Sequence, residues 1–279
     1  MVFSLTLQSI LNDLKQVYSI GSLTNEAGKL LLVRIGAKHV GLALTDEHGA
    51  ELYGLSWHSG EAINDEFLKS ILPAPLSTRL TTRIAFDYCE SVLVPQALHQ
   101  QDANSTWLEA AYGVPVQQHV AEDTIANWQI RNIYCIPGSI KSVADEYLSA
   151  AVSCHAHTVG ISTKEGEDAD GLMLADFAAE DFSLIVFKNN QVLLAQRYTY
   201  TTPADVLYRL LKIADSFDLS TISLQLQVSG LIDIESGLYK ELHQYFMHLH
   251  FRTATWSAPD NSYPSHFFTA LNDLARCAL

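Results

Sequence analysis

Two places in the chain set metal-binding side chains at alternate positions: Cys154-His155-Ala156-His157 and His248-Leu249-His250. On a strand, that spacing turns both imidazoles of a pair to one face, where a metal ion could use them. No spacing fixes a third ligand, so core or surface histidines account for both pairs better than a metal site. The stretch Glu165-Gly166-Glu167-Asp168-Ala169-Asp170-Gly171 has the outline of a calcium loop. With Gly171 on the glycine such a loop requires, Gly166 falls on the first ligand and Phe177 on the bidentate glutamate, so the match fails. Gly166 and Gly171 also have the spacing of a phosphate loop, but Leu172-Met173 stand where Lys and Ser or Thr are needed. The stretch reads as a solvated acidic linker. Ser153, His155 and Asp170 could be drawn as a triad, but a chain of this size allows many such triples. Neither a G-x-S-x-G elbow nor an H-E-x-x-H pair occurs. The sequence holds no convincing catalytic set.

Composition narrows the classes that remain. A chain of 279 residues has room for two domains with their own cores, and 48% hydrophobic with 17% charged residues marks it as globular. The net charge of -14 repels phosphate backbones and anionic lipid surfaces, so neither nucleic acid nor membrane is the expected partner. Cys89, Cys135, Cys154 and Cys277 form no C-x-x-C pair and read as reduced core thiols. Met1-Val2-Phe3-Ser4 carries no basic leader, and no apolar run is long enough to span a bilayer. A cytoplasmic protein without membrane insertion is expected.

The elements that would position any site are easier to read. Phe182–Phe187 and Val192–Tyr200 are apolar runs joined by Asn189-Asn190, which suits a two-residue turn needing positive φ. Thr202 can cap a helix with Pro203 at its first position and Asp205 at its third. Val206, Leu207, Leu210, Leu211, Ala214 and Phe217 then recur at helical spacing. The first half has the same grammar: strands over Leu30–Ile35, Val40–Thr45 and Ala50–Trp57, then a helix stopped by Pro73 and Pro75. First strands, second strands and helices recur at an interval of 142, which predicts an internal duplication. Each copy continues with a strand, a helix and a last strand. Leu93-Val94-Pro95 is expected to open a short helical piece, and Gln100–Ser105 to be a loop. Residues 1–28 read as an extension of helix and loop, with Leu7, Ile10, Leu11, Leu14 and Val17 on one face. Residues 29–160 then form the first lobe, and 161–279 the second lobe with a closing helix over Pro264–Cys277.

Three antiparallel strands followed by alternating helices and strands resemble the ribonuclease-H-like unit, and two in tandem resemble the actin-like ATPase fold. More closely, the chain resembles a family of uncharacterised bacterial proteins, a domain of unknown function, with a reduced version of that fold. The matching residues are Leu93-Val94-Pro95 with Leu98, Gln196–Tyr200 leading to Pro203, Asp205, Leu207 and Tyr208, Ser229-Gly230 with Ser236 and Leu238, and Phe267-Phe268. The expected class is therefore α/β, with two tandem ribonuclease-H-like lobes of mixed sheets and helices.

The resemblance implies where a nucleotide would sit. In an ATP-using member the first hairpin of each half carries an Asp-x-Gly turn, the acid serving Mg²⁺ and the glycine letting backbone N–H groups reach phosphate. Here the first turn has Gly36, but Arg34 holds the acid position, with Lys38 following. The second has Asp176 but no glycine, and Glu180 and Asp181 would repel phosphate. The adenosine position offers only Gly230. Arg34, Gly36, Lys38, Asp176 and Gly230 are thus the expected remnants of a degenerate cleft, with no catalytic residue, no metal and no cofactor; ATP with Mg²⁺ is disfavoured. The expected role is protein binding or scaffolding. The rivals are an ATP-binding relative of the actin-like cytoplasmic proteins of pilus-assembly machines, and a small-molecule kinase or hydrolase.

Overall fold

Near-continuous apolar strands need cover on both faces, and the chain supplies it with helices on each side of two sheets. The computed structural model describes residues 15–72, 80–113, 118–260 and 262–277. In the first lobe β1 (Lys15–Gly21), β2 (Leu30–Gly36), β3 (His39–Thr45) and β4 (Leu52–Ser59) precede helix α1 (Asp65–Ile71) and β5 (Thr81–Asp87). An inserted segment follows, with β6 (Ser91–Pro95), α2 (Asn104–Tyr112), β7 (His119–Ile125) and β8 (Ile130–Ile136). The lobe closes with α3 (Gly138–Tyr147), β9 (Val152–His155) and α4 (Ala156–Ser162). In the second lobe β10 (Leu172–Phe177), β11 (Asp181–Lys188) and β12 (Gln191–Thr199) precede α5 (Pro203–Ser216), β13 (Gln225–Gly230), α6 (Gly237–Tyr245), β14 (His248–Phe251) and α7 (Thr269–Arg276).

The sheet orders β4-β3-β2-β5-β9 and β12-β11-β10-β13-β14 agree strand for strand. In both, the first three strands are antiparallel and the last two add in parallel. Leu30 and Leu172 open the first strands, and His39 and Asp181 the second, keeping the interval of 142. The expected α/β architecture of mixed sheets with helices is present.

Packing follows the burial pattern. Leu31, Val33 and Ile35 of the first sheet meet Phe67 and Leu68 of α1 and Ile140 and Val143 of α3. Its opposite face, with Leu30 and Leu32, meets Val159 of α4 and Leu271 and Leu274 of α7. The second sheet packs Met173, Ala175 and Val186 on Val206 and Leu210 of α5 and Leu242 of α6. Its other face, through Leu174 and Ile185, meets Ile161 of α4. Arg83 donates to the carbonyls of Leu274, Ala275 and Cys277 at 3.1, 2.7 and 2.9 Å, which places a cation at the negative end of α7.

Local signals behaved as chemistry dictates. Asn189 and Asn190 take φ of 51° and 58° in the two-residue turn. Thr202 and Asp205 form a reciprocal capping box at α5, and losing such a cap costs about 1 kcal/mol. Asp168 of the acidic stretch is not solvated. It is buried, pairs with Lys164 at 3.0 Å and accepts the Asn190 N–H at 3.1 Å, tying the stretch to the β11–β12 turn.

Three further expectations need correction. Val17 does not lie on a helix: Lys15–Gly21 is a strand paired with β4, because alternate Tyr18 and Ile20 turn onto the core beside Phe267 and Phe268. Leu7, Ile10, Leu11 and Leu14 lie outside the described residues, as do Pro73 and Pro75. Leu93-Val94-Pro95 belongs to β6, paired with β8, and the helical piece shrinks to one turn at Gln96–Leu98. The polar run Gln100–Ser105 leads into α2 rather than staying a loop. Among the described residues the inserted sheet, in order β6-β8-β7, has no counterpart in the second lobe.

Candidate functional site

β2 and β10 each end in a turn directed at the other lobe. Residues 34 and 176 lie on these strands just before the turns, and alternation puts them on the buried faces that carry Leu32 and Leu174. The Arg34 guanidinium bridges the lobes. Its Nη2 lies 2.6 Å from Asp176 Oδ2 and 2.6 Å from Asp87 Oδ2, and its Nε donates to Asp87 Oδ2 at 2.8 Å. Ser229 Oγ donates to Asp176 Oδ1 at 2.8 Å. Arg197, reaching in from β12, pairs with Asp87 and with Asp181. His39 Nε2 approaches Asp87 Oδ2 at 3.1 Å and, with a carboxylate opposite, carries the proton as donor. At the mouth Lys38 Nζ meets Glu180 Oε2 at 2.5 Å. Beside that pair a cavity of about 310 Å³ opens, lined by Lys15, His39, Trp57, Glu61 and Asp181 among others.

Burial makes these charges interdependent. Desolvation works against the charge on Arg34, but Asp176 and Asp87 outweigh it and raise its pKa. Burial would raise Asp87, yet Arg197 and Arg34 hold its carboxyl well below the usual range. Asp176 is likewise lowered, burial being overcome by Arg34 and Ser229. Burial lowers the pKa of His39, with Arg34 and Arg197 adding to that effect against the opposing pull of Asp87. Its neutral ring stacks on Trp57 at 5.1 Å and 8°.

The glycines serve packing. A Cβ on Gly36 would fall 2.4 Å from His39 Cε1, so the missing side chain makes room for that imidazole. Gly230 has φ of 79°, and a Cβ there would fall 2.1 Å from Phe177 O. It lets the end of β13 fold against the end of β10, where Leu231 N–H donates to Phe177 O at 2.7 Å.

A magnesium–triphosphate group needs oxygen ligands and an open backbone. Arg34 offers donors only. Both Asp176 oxygens and Asp87 Oδ2 are already engaged, Asp87 Oδ1 is buried, and the His39 ring fills the space above Gly36. This set does not fit that group.

Of the expected residues, Arg34, Gly36, Lys38 and Asp176 converge on the cleft, while Gly230 stands behind it through Phe177. Asp87, His39, Arg197 and Ser229 were missed. Arg197 sat within the run Gln196–Tyr200, and the 142-residue spacing of opposite charges at Arg34 and Asp176 was the available signal. The histidine pairs do not gather ligands. His155 ends β9 and donates its Nε2–H to Tyr88 O at 3.0 Å, while His157 lies in α4 with Nδ1 2.9 Å from Ser91 Oγ. Burial lowers both, His155 to about 4. His248 and His250 are exposed on β14. Among the described residues no group of three metal-binding side chains occurs, and no helix is long and apolar enough to cross a membrane.

Comparison with known proteins adds a family and a fold. The family described as "Protein of unknown function (DUF3822)" matches residues 22–249. A Bacteroides thetaiotaomicron crystal structure, described as having an actin-like ATPase fold and unknown function, is similar with a TM-score of 0.74 at 14% identity, over 92% of this chain and 98% of its own. A chain of the PilM-PilN type IV pilus biogenesis complex is similar with a TM-score of 0.60 at 12% identity, over 89% of this chain and 98% of its own. No curated protein matches. At these identities the likeness shows the fold alone: the actin-like ATPase fold.

Proposed function

This chain belongs to the DUF3822 family of proteins of unknown function, and from that premise we propose that it is an actin-like protein acting through protein binding, without ATP hydrolysis. One observation carries the reading: a buried arginine, Arg34, stands at the position of the metal-serving acid and joins Asp87 to Asp176 across the lobes. Phosphoryl transfer depends on a metal clamp to neutralise developing charge, and Arg34 and Arg197 already neutralise these carboxylates. The chain's own ion pairs join the lobes. The similar chain of the PilM-PilN type IV pilus biogenesis complex belongs to an assembly with another protein, which supports a binding role. Four free cysteines suit a reducing compartment, and we assign the protein to the cytoplasm.

Purification of the tagged full chain from its own cells under gentle conditions tests the reading. A stoichiometric protein partner should be retained equally in Mg-ATP and in a chelator. Recovery of the chain alone as a monomer, or a partner recruited or released only by Mg-ATP, overturns it. The second result favours the nucleotide-binding rival.

A further inference from the structure

Two sheet edges that pair with no further strand among the described residues lie on either side of one groove. β12 is the outermost strand of the second lobe, and β6 is an outer strand of the inserted sheet. The groove between them has a volume of about 390 Å³ and is lined by Val92, Leu93, Tyr112, Leu193, Leu194 and Ala195 among others, with no charged residue in its lining among the described residues.

The hydrogen-bond pattern shows which backbone groups face it. Tyr200 donates its N–H to Glu180 O at 3.0 Å, so alternation along the antiparallel ladder turns Tyr198 and Gln196 toward β11. Arg197 and Ala195 therefore direct their N–H and C=O groups outward. On β6 the Tyr112 hydroxyl accepts the Ser91 N–H at 2.9 Å and lies 2.9 Å from Ser91 O, covering the outward groups of that residue. Gln96 donates back to Gln129 O at 2.8 Å, which fixes the alternation from the other end. Leu93, two residues beyond Ser91, thus points its backbone groups into the groove, and none has a partner among the described residues.

An open strand edge is matched by extended backbone. A groove without charge favours uncharged side chains on that backbone. A second copy of this chain is opposed by its net charge of -14. We propose that this groove binds an extended, uncharged segment of a partner protein, added as a strand to the β12 edge and packed against β6. The inference rests on the protein-binding reading above and names where that binding occurs. Tyr112 limits the register, since it already occupies the first rung of β6.

Panning of random linear peptides displayed on phage against the full chain tests it. Enriched peptides should carry an uncharged core of alternating β-forming residues and should protect the Ala195 and Leu93 amides from hydrogen exchange. Ala195→Pro removes an outward N–H while sparing the ladder to β11, and should weaken the selected peptides up to about tenfold, the worth of one hydrogen bond. N-methylation of alternate peptide bonds should do the same. Should Ala195→Pro fail to fold, Leu93→Glu takes its place by setting a charge in the groove. No enrichment, binding indifferent to these changes, protection at the Lys38 cavity instead, or a homodimer abolished by Ala195→Pro would each overturn the proposal. A natural partner that survives Ala195→Pro leaves the protein-binding reading intact and removes only this groove.

Discussion

Arg34 and Asp176 occupy the same strand position in the two lobes, 142 residues apart, and their side chains meet at 2.6 Å. Lys38 and Glu180, also 142 apart, repeat the relationship at the cleft mouth. Equivalent positions in a symmetric pair approach one another across the axis, so like residues there would place like charges together. Opposite charges turn that approach into an attraction. Arg34 offers donors only and no oxygen to a metal, and it supplies a bond between lobes.

Arg34→Ala should be strongly destabilising, by about 3–5 kcal/mol, because it leaves buried carboxylates with less compensation. Asp176→Leu in the same chain removes one of those carboxylates and should recover part of the loss. Urea unfolding of the two single variants and the double variant measures the coupling. Strictly additive losses would mean the pair does not act as a unit.

The Lys38–Glu180 pair is solvent-exposed and should contribute little, within about 1 kcal/mol. Charge reversal by Lys38→Glu alone should lower the unfolding midpoint slightly, and adding Glu180→Lys should restore it. The difference should shrink at high salt. A salt-insensitive effect would indicate packing rather than charge.

How much of this could be read beforehand depended on distance along the chain. The β11–β12 hairpin and the cap of α5 were legible because Asn189-Asn190 and Thr202 with Asp205 act on their immediate neighbours. β6 was not, since Val92 pairs with Ile133 and only that partner makes it a strand. β1 likewise takes its conformation from β4. In the cleft, Arg34 was visible as a departure from the acid expected there. Its partners Asp87 and Asp176 come from another strand and another lobe, and Arg197 looked like one more residue of a strand.

Gly230→Ala and Gly36→Ala should differ in kind. At Gly230 the added methyl meets backbone, Phe177 O at 2.1 Å, at a φ of 79°, so the end of β13 must shift and stability should drop by more than about 1 kcal/mol. At Gly36 it meets the His39 ring, which must leave Asp87. Gly36→Ala should therefore change the His39 imidazole resonances in an NMR spectrum, whereas Gly230→Ala should mainly lower the thermal midpoint. An unshifted His39 in a folded Gly36→Ala variant would contradict the packing role.

Acid should weaken the fold through its buried histidines. Burial lowers His155 from 6.5 to about 4, and it also lowers His157 and His39. The unfolded chain takes up protons that the folded chain refuses, so stability present above the unfolded value is lost as pH falls from about 6.5 toward 4. For His155 alone this is on the order of 3 kcal/mol. Asp123 opposes it, because burial raises its carboxyl to about 6 and the folded state gains that proton first. Thermal midpoints across this range should fall with acid, and more steeply in Asp123→Asn. A flat profile would show that these imidazoles are solvated in the native state.

Isothermal titration of the full chain with Mg-ATP tests most directly the proposal that no nucleotide binds between the lobes. The ion pairs of Arg34 and Arg197 predict no saturable heat at nucleotide concentrations well into the millimolar range. Micromolar binding that disappears on Gly36→Val or Arg34→Glu would contradict the account, because it would place a nucleotide where the protein's own charges are held to meet.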